Sequence, residues 1–200
     1  MTVSLSKHRQ ITPSSEAQAQ RDQKDRELIE RIASARDHTA MEAFYVQYRP
    51  RLSGFLRRLT YDNSLIEEAY NDVMLKVWHK AHQYQGQSKV SSWVFSIAYR
   101  TCLRMVKKQQ SRQSVLDTLG QSDLPSSASL HEATEQADLI DSALARLSAK
   151  HRLVIELSYF SGYSTEEVGQ IVQCPTNTVK TRLHHARKKI RTFVEETTKK

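Results

Sequence analysis

The residues best placed to do chemistry lie between Asn177 and Lys188. Val179, Leu183, Ala186 and Ile190 recur at steps of four, three and four, the spacing of one apolar seam on a helix. Asn177, Thr178, Lys180, Thr181, His184, His185 and Lys188 then share the opposite face, flanked by Arg182, Arg187 and Arg191. A helix of this width fits the major groove of duplex DNA, where short polar side chains near its N-terminal end reach base edges. Arginine and lysine farther along would meet phosphates, which fix register without reading sequence. The plainer reading is the solvated cationic surface of a helical bundle. Two short helices, a tight turn between them and a cap on each favour the DNA reader.

Other chemistries fail on residue supply. His131-Glu132-Ala133-Thr134-Glu135 begins like a zinc-protease motif, but Glu135 stands where the second histidine is needed, so an acidic helix start fits better. Glu67, Glu68 and Asp72 suggest a carboxylate metal site, yet no Glu-x-x-His pair accompanies them. Cys102 and Cys174 lack the spacing of a zinc site or a disulfide framework. There is no Gly-rich phosphate loop and no nucleophile–base pair. The expectation is a chain with no catalytic residue, metal, cofactor or small-molecule substrate.

The elements that must position these residues read as helices. Gly and Pro are scarce, at 5 and 4 copies in 200 residues, and long periodic segments run without breakers. Leu28, Ile29 and Ile32 fit a short helix over Arg21–Ala35, and a frayed tail fits the charge density equally well; the residues before them read as disordered. Phe44, Tyr45, Tyr48, Leu52, Phe55, Leu56 and Leu59 predict one amphipathic helix, bent near Pro50. Tyr61-Asp62-Asn63-Ser64 supplies a turn and a cap for a second, with Ile66, Ala69, Tyr70, Val73, Val77, Trp78 and Ala81 as its buried stripe. Tyr84–Lys89 reads as a loop. Ser91 or Ser92 then caps a third helix, with Trp93, Val94, Ile97, Ala98 and Thr101 facing inward and a basic far end at Arg100, Arg104, Lys107 and Lys108. After a Ser- and Asp-rich linker, periodicity returns at Ala137, Ile140, Ala143, Leu144 and Leu147, and a helix from Ser148 stops near Ser161-Gly162. Ser164 with Glu167 forms a capping box for the next helix, which buries Val168, Ile171 and Val172; Pro175 ends the turn and Thr176 caps the last helix.

Fold class is therefore all-α: two small helical domains joined by a flexible acidic linker. The boundaries expected are a polar tail over 1–38, a first domain over 39–110, the linker over 111–136, the helix-turn-helix domain over 137–193 and a tail over 194–200. Net charge is +8 and the pI about 9.5, but its distribution says more. Basic residues outnumber acidic ones about two to one from Thr39 to Gln110 and again from Ser142 to Lys200, while Gln113–Ala145 contains no Lys or Arg. Two basic blocks around an acidic strip point to a polyanion held in two places. No segment has the apolar length of a membrane span, and the N-terminus is polar rather than signal-like, so a cytoplasmic location without membrane insertion is expected.

The segment Gly162-Tyr163-Ser164-Thr165-Glu166-Glu167-Val168, with Pro175-Thr176-Asn177-Thr178-Val179-Lys180-Thr181-Arg182-Leu183-His184-His185-Ala186-Arg187, resembles region 4 of bacterial sigma factors. Glu67-Glu68-Ala69-Tyr70-Asn71-Asp72-Val73-Met74-Leu75-Lys76-Val77-Trp78 resembles their region 2.2, and Ser92-Trp93-Val94-Phe95-Ser96-Ile97-Ala98-Tyr99-Arg100 their regions 2.3–2.4. The order, the spacing and the short linker resemble the extracytoplasmic-function (ECF) subgroup of the sigma-70 superfamily. Asn177 stands where that family usually has Gly.

The resemblance implies an alternative sigma factor. Glu68, Asn71, Asp72 and Lys76 would dock on the β′ coiled coil of core RNA polymerase, and the β flap would be a second polymerase contact. Tyr84, Gln87, Ser88 and Lys89 of the loop, with Ser92, Phe95, Tyr99 and Arg100 of the third helix, would engage the promoter minus-ten element. The last helix would read the minus-thirty-five element, the acidic linker would thread the polymerase, and an anti-sigma factor would be a further partner. The residue chemistry agrees, because His82, Tyr84, Gln87, Ser88 and Lys89 join aromatic and polar groups suited to holding an unstacked base. Trp78 and Trp93 read better as core. Phe95 and Tyr99, off the buried stripe, fit contact with DNA or polymerase as well as partial burial. Two rivals remain: a self-sufficient helix-turn-helix regulator that binds operator DNA without polymerase, and an interaction protein whose first domain only tethers a partner.

Overall fold

The computed structural model describes residues 15–60, 62–118 and 142–198. Every regular element in them is helical. Four helices build the first domain: α1 Ser15–Ala35, α2 His38–Arg57, α3 Asn63–Lys80 and α4 Val90–Thr118, with a short 3-10 turn at Ala81–Gln83. After a helical turn at 142–145, the second domain holds α5 Ala149–Ile155, which runs on into a π-turn at Glu156–Phe160, then α6 Thr165–Val172 and α7 Thr176–Thr198.

The N-terminal segment is the first correction. α1 is a full helix that buries Leu28, Ile29 and Ile32 against α2, α4 and the 3-10 turn, so the tail expected over 1–38 contributes a helix to the domain. Its one buried carboxylate, Asp25, accepts hydrogen bonds from Tyr48 Oη and Gln47 Nε2, each at 2.5 Å. Burial raises the Asp25 pKa above the ordinary carboxylate value, a shift opposed by those bonds and by the charge of Arg51. Arg36 takes a left-handed φ of 51° between α1 and α2, and its guanidinium reaches the Trp78 carbonyl at 2.8 Å.

α2 passes through Pro50 as one helix. Pro50 and Val46, whose carbonyl loses its intrahelical donor, are both exposed, so water can take the place of that bond. The buried stripe is close to expectation, with Phe44 stacked on Tyr48 at 4.2 Å between ring centroids. Asp62 caps α3, accepting from the N–H groups of Ser64 (2.9 Å) and Leu65 (3.2 Å). Those bonds, led by the one from the Ser64 side chain, pull its pKa down to about 2.

α4 starts one residue early. Trp93 N–H bonds to the Lys89 carbonyl, so Ser91 and Ser92 sit inside the first turn, both buried, and neither caps the helix. At its other end α4 continues to Thr118, well past the expected linker boundary at 111. The rest of that linker, the His131–Glu135 segment, Ala137 and Ile140 lie outside the described residues. α7 likewise runs through the expected tail as far as Thr198. The two domains also touch: α4 packs along α6, and the buried apolar residues of both form one continuous cluster. No helix of the described residues is long and apolar enough to cross a membrane.

Candidate nucleic-acid and polymerase interfaces

The helix-turn-helix is built by its punctuation. Ser164 Oγ accepts from Glu167 N–H at 3.2 Å, and Glu167 Oε2 accepts from Ser164 N–H at 2.8 Å, closing the capping box of α6. α6 ends where Gln173 adopts a left-handed conformation (φ 55°, ψ 52°), and the N–H groups of Gln173 and Cys174 both return to the Gly169 carbonyl. A Cβ added at Gly169 would stand 2.9 Å from the Cys174 carbonyl oxygen, so the turn can fold back this tightly only over a glycine. Sequence reading did not single out Gly169; its position five residues ahead of Cys174-Pro175 is the available signal. Thr176 is the first residue of α7 rather than its cap. The Pro175 carbonyl takes the N–H groups of Thr178 (2.8 Å) and Val179 (3.2 Å), leaving Pro175 at the capping position.

α7 turns Val179, Leu183 and Ala186 into the core and leaves Ile190 half-buried. On the far side Asn177, Lys180, Thr181, His184, His185, Arg187 and Lys188 are exposed, with Thr178 half-buried. Thr181 Oγ1 donates to the Asn177 carbonyl (2.9 Å), and Arg187 Nε to that of Leu183 (3.2 Å). Arg182 leans back, half-buried, with Nη1 3.6 Å from Cys174 Sγ, so it braces the turn. His151 of α5 lies 6.3 Å from the His185 ring, and burial followed by the charges of Lys189, His185 and Arg182 holds its pKa below the ordinary histidine value. Positive potential concentrates at this end of the molecule, as an anionic ligand requires.

The eight residues expected at the minus-ten element do not form one open surface. Gln87 and Arg100 are exposed. Tyr84 is half-buried against Trp93, and its hydroxyl donates to the Ser88 carbonyl. Lys89 is held 3.0 Å from Glu167 and 3.7 Å from Asp22, and the hydrogen bond to Glu167 raises its pKa. Ser92 and Phe95 are buried, with 1% and 3% of their surface accessible, and Tyr99 is half-buried. Phe95 sits between Phe55 (4.9 Å) and Tyr163 (5.7 Å), one from each domain. Periodicity read one domain at a time cannot find such a contact, because the second partner belongs to the other domain. Trp78 and Trp93, expected in the core, are half-buried at its edge.

On α3, Glu68 and Asn71 are exposed, and Asn71 Oδ1 accepts from Tyr45 Oη at 3.0 Å. Asp72 and Lys76 are half-buried and paired with each other at 2.5 Å, with Lys76 Nζ also donating to Thr101 Oγ1 at 2.9 Å. They orient the α3–α4 packing more than they offer free charge. Beside this face a shallow groove is lined by Tyr45, Val46, Arg49, Pro50, Arg57 and Glu67, with Val46 71% exposed; sequence reading gave these residues no role in binding.

Residues 44–112 match the family described as sigma-70 region 2, and residues 137–190 match sigma-70, region 4. The chain is similar to the ECF RNA polymerase sigma factor SigL of Mycobacterium tuberculosis, at 29% identity over 167 residues, 82% of this chain and 94% of that one. It is also similar to the ECF RNA polymerase sigma factor RpoE of Cereibacter sphaeroides, at 27% identity over 165 residues, 82% and 91% of the two chains. Among solved structures, sigma factor RpoE of Bartonella quintana, in complex with the anti-sigma factor NepR, aligns with a TM-score of 0.62 at 25% identity, over 77% of this chain and 96% of that one. CnrH, in complex with the cytosolic domain of CnrY, aligns at 0.61 over 86% and 98% with 17% identity, a likeness of fold alone.

Proposed function

The chain belongs to the sigma-70 family, as an ECF sigma factor that binds core RNA polymerase and directs promoter-specific initiation, and we propose how its surfaces divide that work. The first domain, α1 through α4, carries the polymerase contact on α3, centred on Glu68 and Asn71, and the minus-ten contact along the Tyr84–Lys89 loop and the start of α4. The second domain, from 137 to the end of α7, reads the minus-thirty-five element. Thr178, Lys180, Thr181 and His184 lie nearest the bases, with Arg187 and Lys188 toward phosphates. The observation that carries this reading is the exposed polar and cationic face of α7, mounted on a capped helix and a glycine-dependent turn.

The chain supplies recognition, and the polymerase supplies the chemistry. Such a role places it in the cytoplasm with its promoter. An anti-sigma protein is proposed as its regulator, in keeping with the NepR-bound relative. Transcription in vitro with core polymerase, with and without the chain, tests the assignment. Initiation from a responsive promoter should need the chain, and Glu68→Lys should weaken its binding to core while leaving helicity unchanged. Unaltered core binding by Glu68→Lys would sink the docking assignment, and operator footprinting without polymerase would favour the stand-alone regulator.

A further inference from the structure

We propose that the chain is self-masking: its two domains close on each other so that α6 and Tyr163 cover the minus-ten reading face of α4, and promoter opening requires them to part. This rests on the minus-ten assignment made above. The contact is apolar at its centre and charged at its rim. Phe55 and Phe95 from the first domain meet Tyr163 from the second, and Arg51 lies over the Phe95 ring at 5.8 Å. Two ion pairs cross the boundary, Arg58 with Glu156 and Lys89 with Glu167.

The masking is selective. Ser92 and Phe95 are inaccessible, and Lys89, the cation a DNA phosphate would need, is already engaged by the carboxylates of Glu167 and Asp22. By contrast Asn177, Lys180, Thr181, His184 and Lys188 on α7 remain exposed. The closed chain therefore keeps its duplex reader in solvent and hides its strand-opening reader. A surface that holds an unstacked base should bind single-stranded DNA indiscriminately if left bare, since base stacking on aromatic groups is tolerant of sequence.

The test uses the full chain and two variants that break the contact from opposite sides, Tyr163→Ala and Arg58→Ala. Neither adds positive charge, so any gain in DNA binding is not a trivial electrostatic one. Small-angle scattering should give a compact wild type and a larger radius of gyration for both variants at unchanged helicity by circular dichroism. Fluorescence anisotropy with a labelled random-sequence DNA single strand should then show about tenfold tighter binding, the gain expected when an open fraction of about one-tenth becomes nearly complete. Tyr99→Ala added to either variant should remove most of that gain. If Tyr163→Ala loses helix, Arg58→Ala carries the test alone. A wild type that scatters as two detached bodies, variants that stay compact, or variants that expand without binding the strand more tightly would overturn the proposal. A gain that survives Tyr99→Ala supports the masking and removes the minus-ten assignment instead.

Discussion

The two domains solve the same problem, holding a helix against DNA, by opposite means. The C-terminal one is small and depends on punctuation: a capping box, a left-handed Gln173, a glycine under a carbonyl and a proline that opens α7. Its functional face is the solvent face, so helix propensity, burial and DNA reading ask nothing contradictory of one residue. The N-terminal domain depends on bulk, with Phe44, Tyr48, Leu52, Leu56 and Tyr70 filling a four-helix core. Its expected DNA face instead carries Phe95, an apolar residue that is buried whenever the neighbouring domain is there to cover it. A surface that must sometimes unstack bases is made of groups that water disfavours, and the molecule shields them.

Stability should divide along the same line. Phe44→Ala removes a stacked core ring and should cost about 3–5 kcal/mol. Gly169→Ala forces the turn open and should cost about 1–3 kcal/mol. Denaturant melts followed by hydrogen exchange resolve both domains: loss of protection confined to the mutated domain would break the picture of one continuous core, whereas partial loss in both would sharpen it.

Next in size are effects on the reading face. Lys180→Ala and Thr181→Ala should each lower initiation at a responsive promoter by about tenfold, within the 1–3 kcal/mol that a good base contact contributes. Lys188→Ala should weaken binding evenly across promoters and reduce its salt dependence. A promoter panel that responds alike to all three variants would place base reading elsewhere.

The smallest effects concern two carboxylates of the first domain. Asp62 has its folded pKa lowered to about 2, so its contribution is present above the unfolded value of 3.8 and is lost as pH falls through about 2. The stability gap between wild type and Asp62→Ala should therefore narrow across that window. Asp25 has its folded pKa raised, so its charge opposes folding above 3.8 and that opposition is relieved as pH falls. Asp25→Asn should match or exceed wild type at neutral pH, with any advantage gone below about pH 4. Urea melts at several pH values measure both, and gaps moving in the same direction would contradict the opposite environments of the two groups.

Much of this was legible in the sequence. The stripes of α2, α3 and α7, the capping box at Ser164 and the exposed face of α7 follow from local spacing, because each is satisfied within a few turns of helix. What was not legible depends on partners distant in the chain. α1 could have been helix or frayed tail until Asp25 found Tyr48 and Gln47. Ser92 and Phe95 look exposed when α4 is considered with its own domain, and only Tyr163 buries them. Asp72 and Lys76 satisfy each other and Thr101, which no linear motif indicates.

The π-turn at Glu156–Phe160 has a consequence for helical phase. Its wider loop, with Ser161 N–H bonded to the Glu156 carbonyl, accommodates one residue more than an α-turn would. Each residue in an α-helix advances the side-chain direction by about 100°. Deleting one residue here would restore the ordinary winding and rotate everything downstream by about that angle, carrying Tyr163 off Phe95 while α6 and α7 kept their own contacts. A single-residue indel at this point is thus a clutch between the domains, able to uncouple them without altering either one.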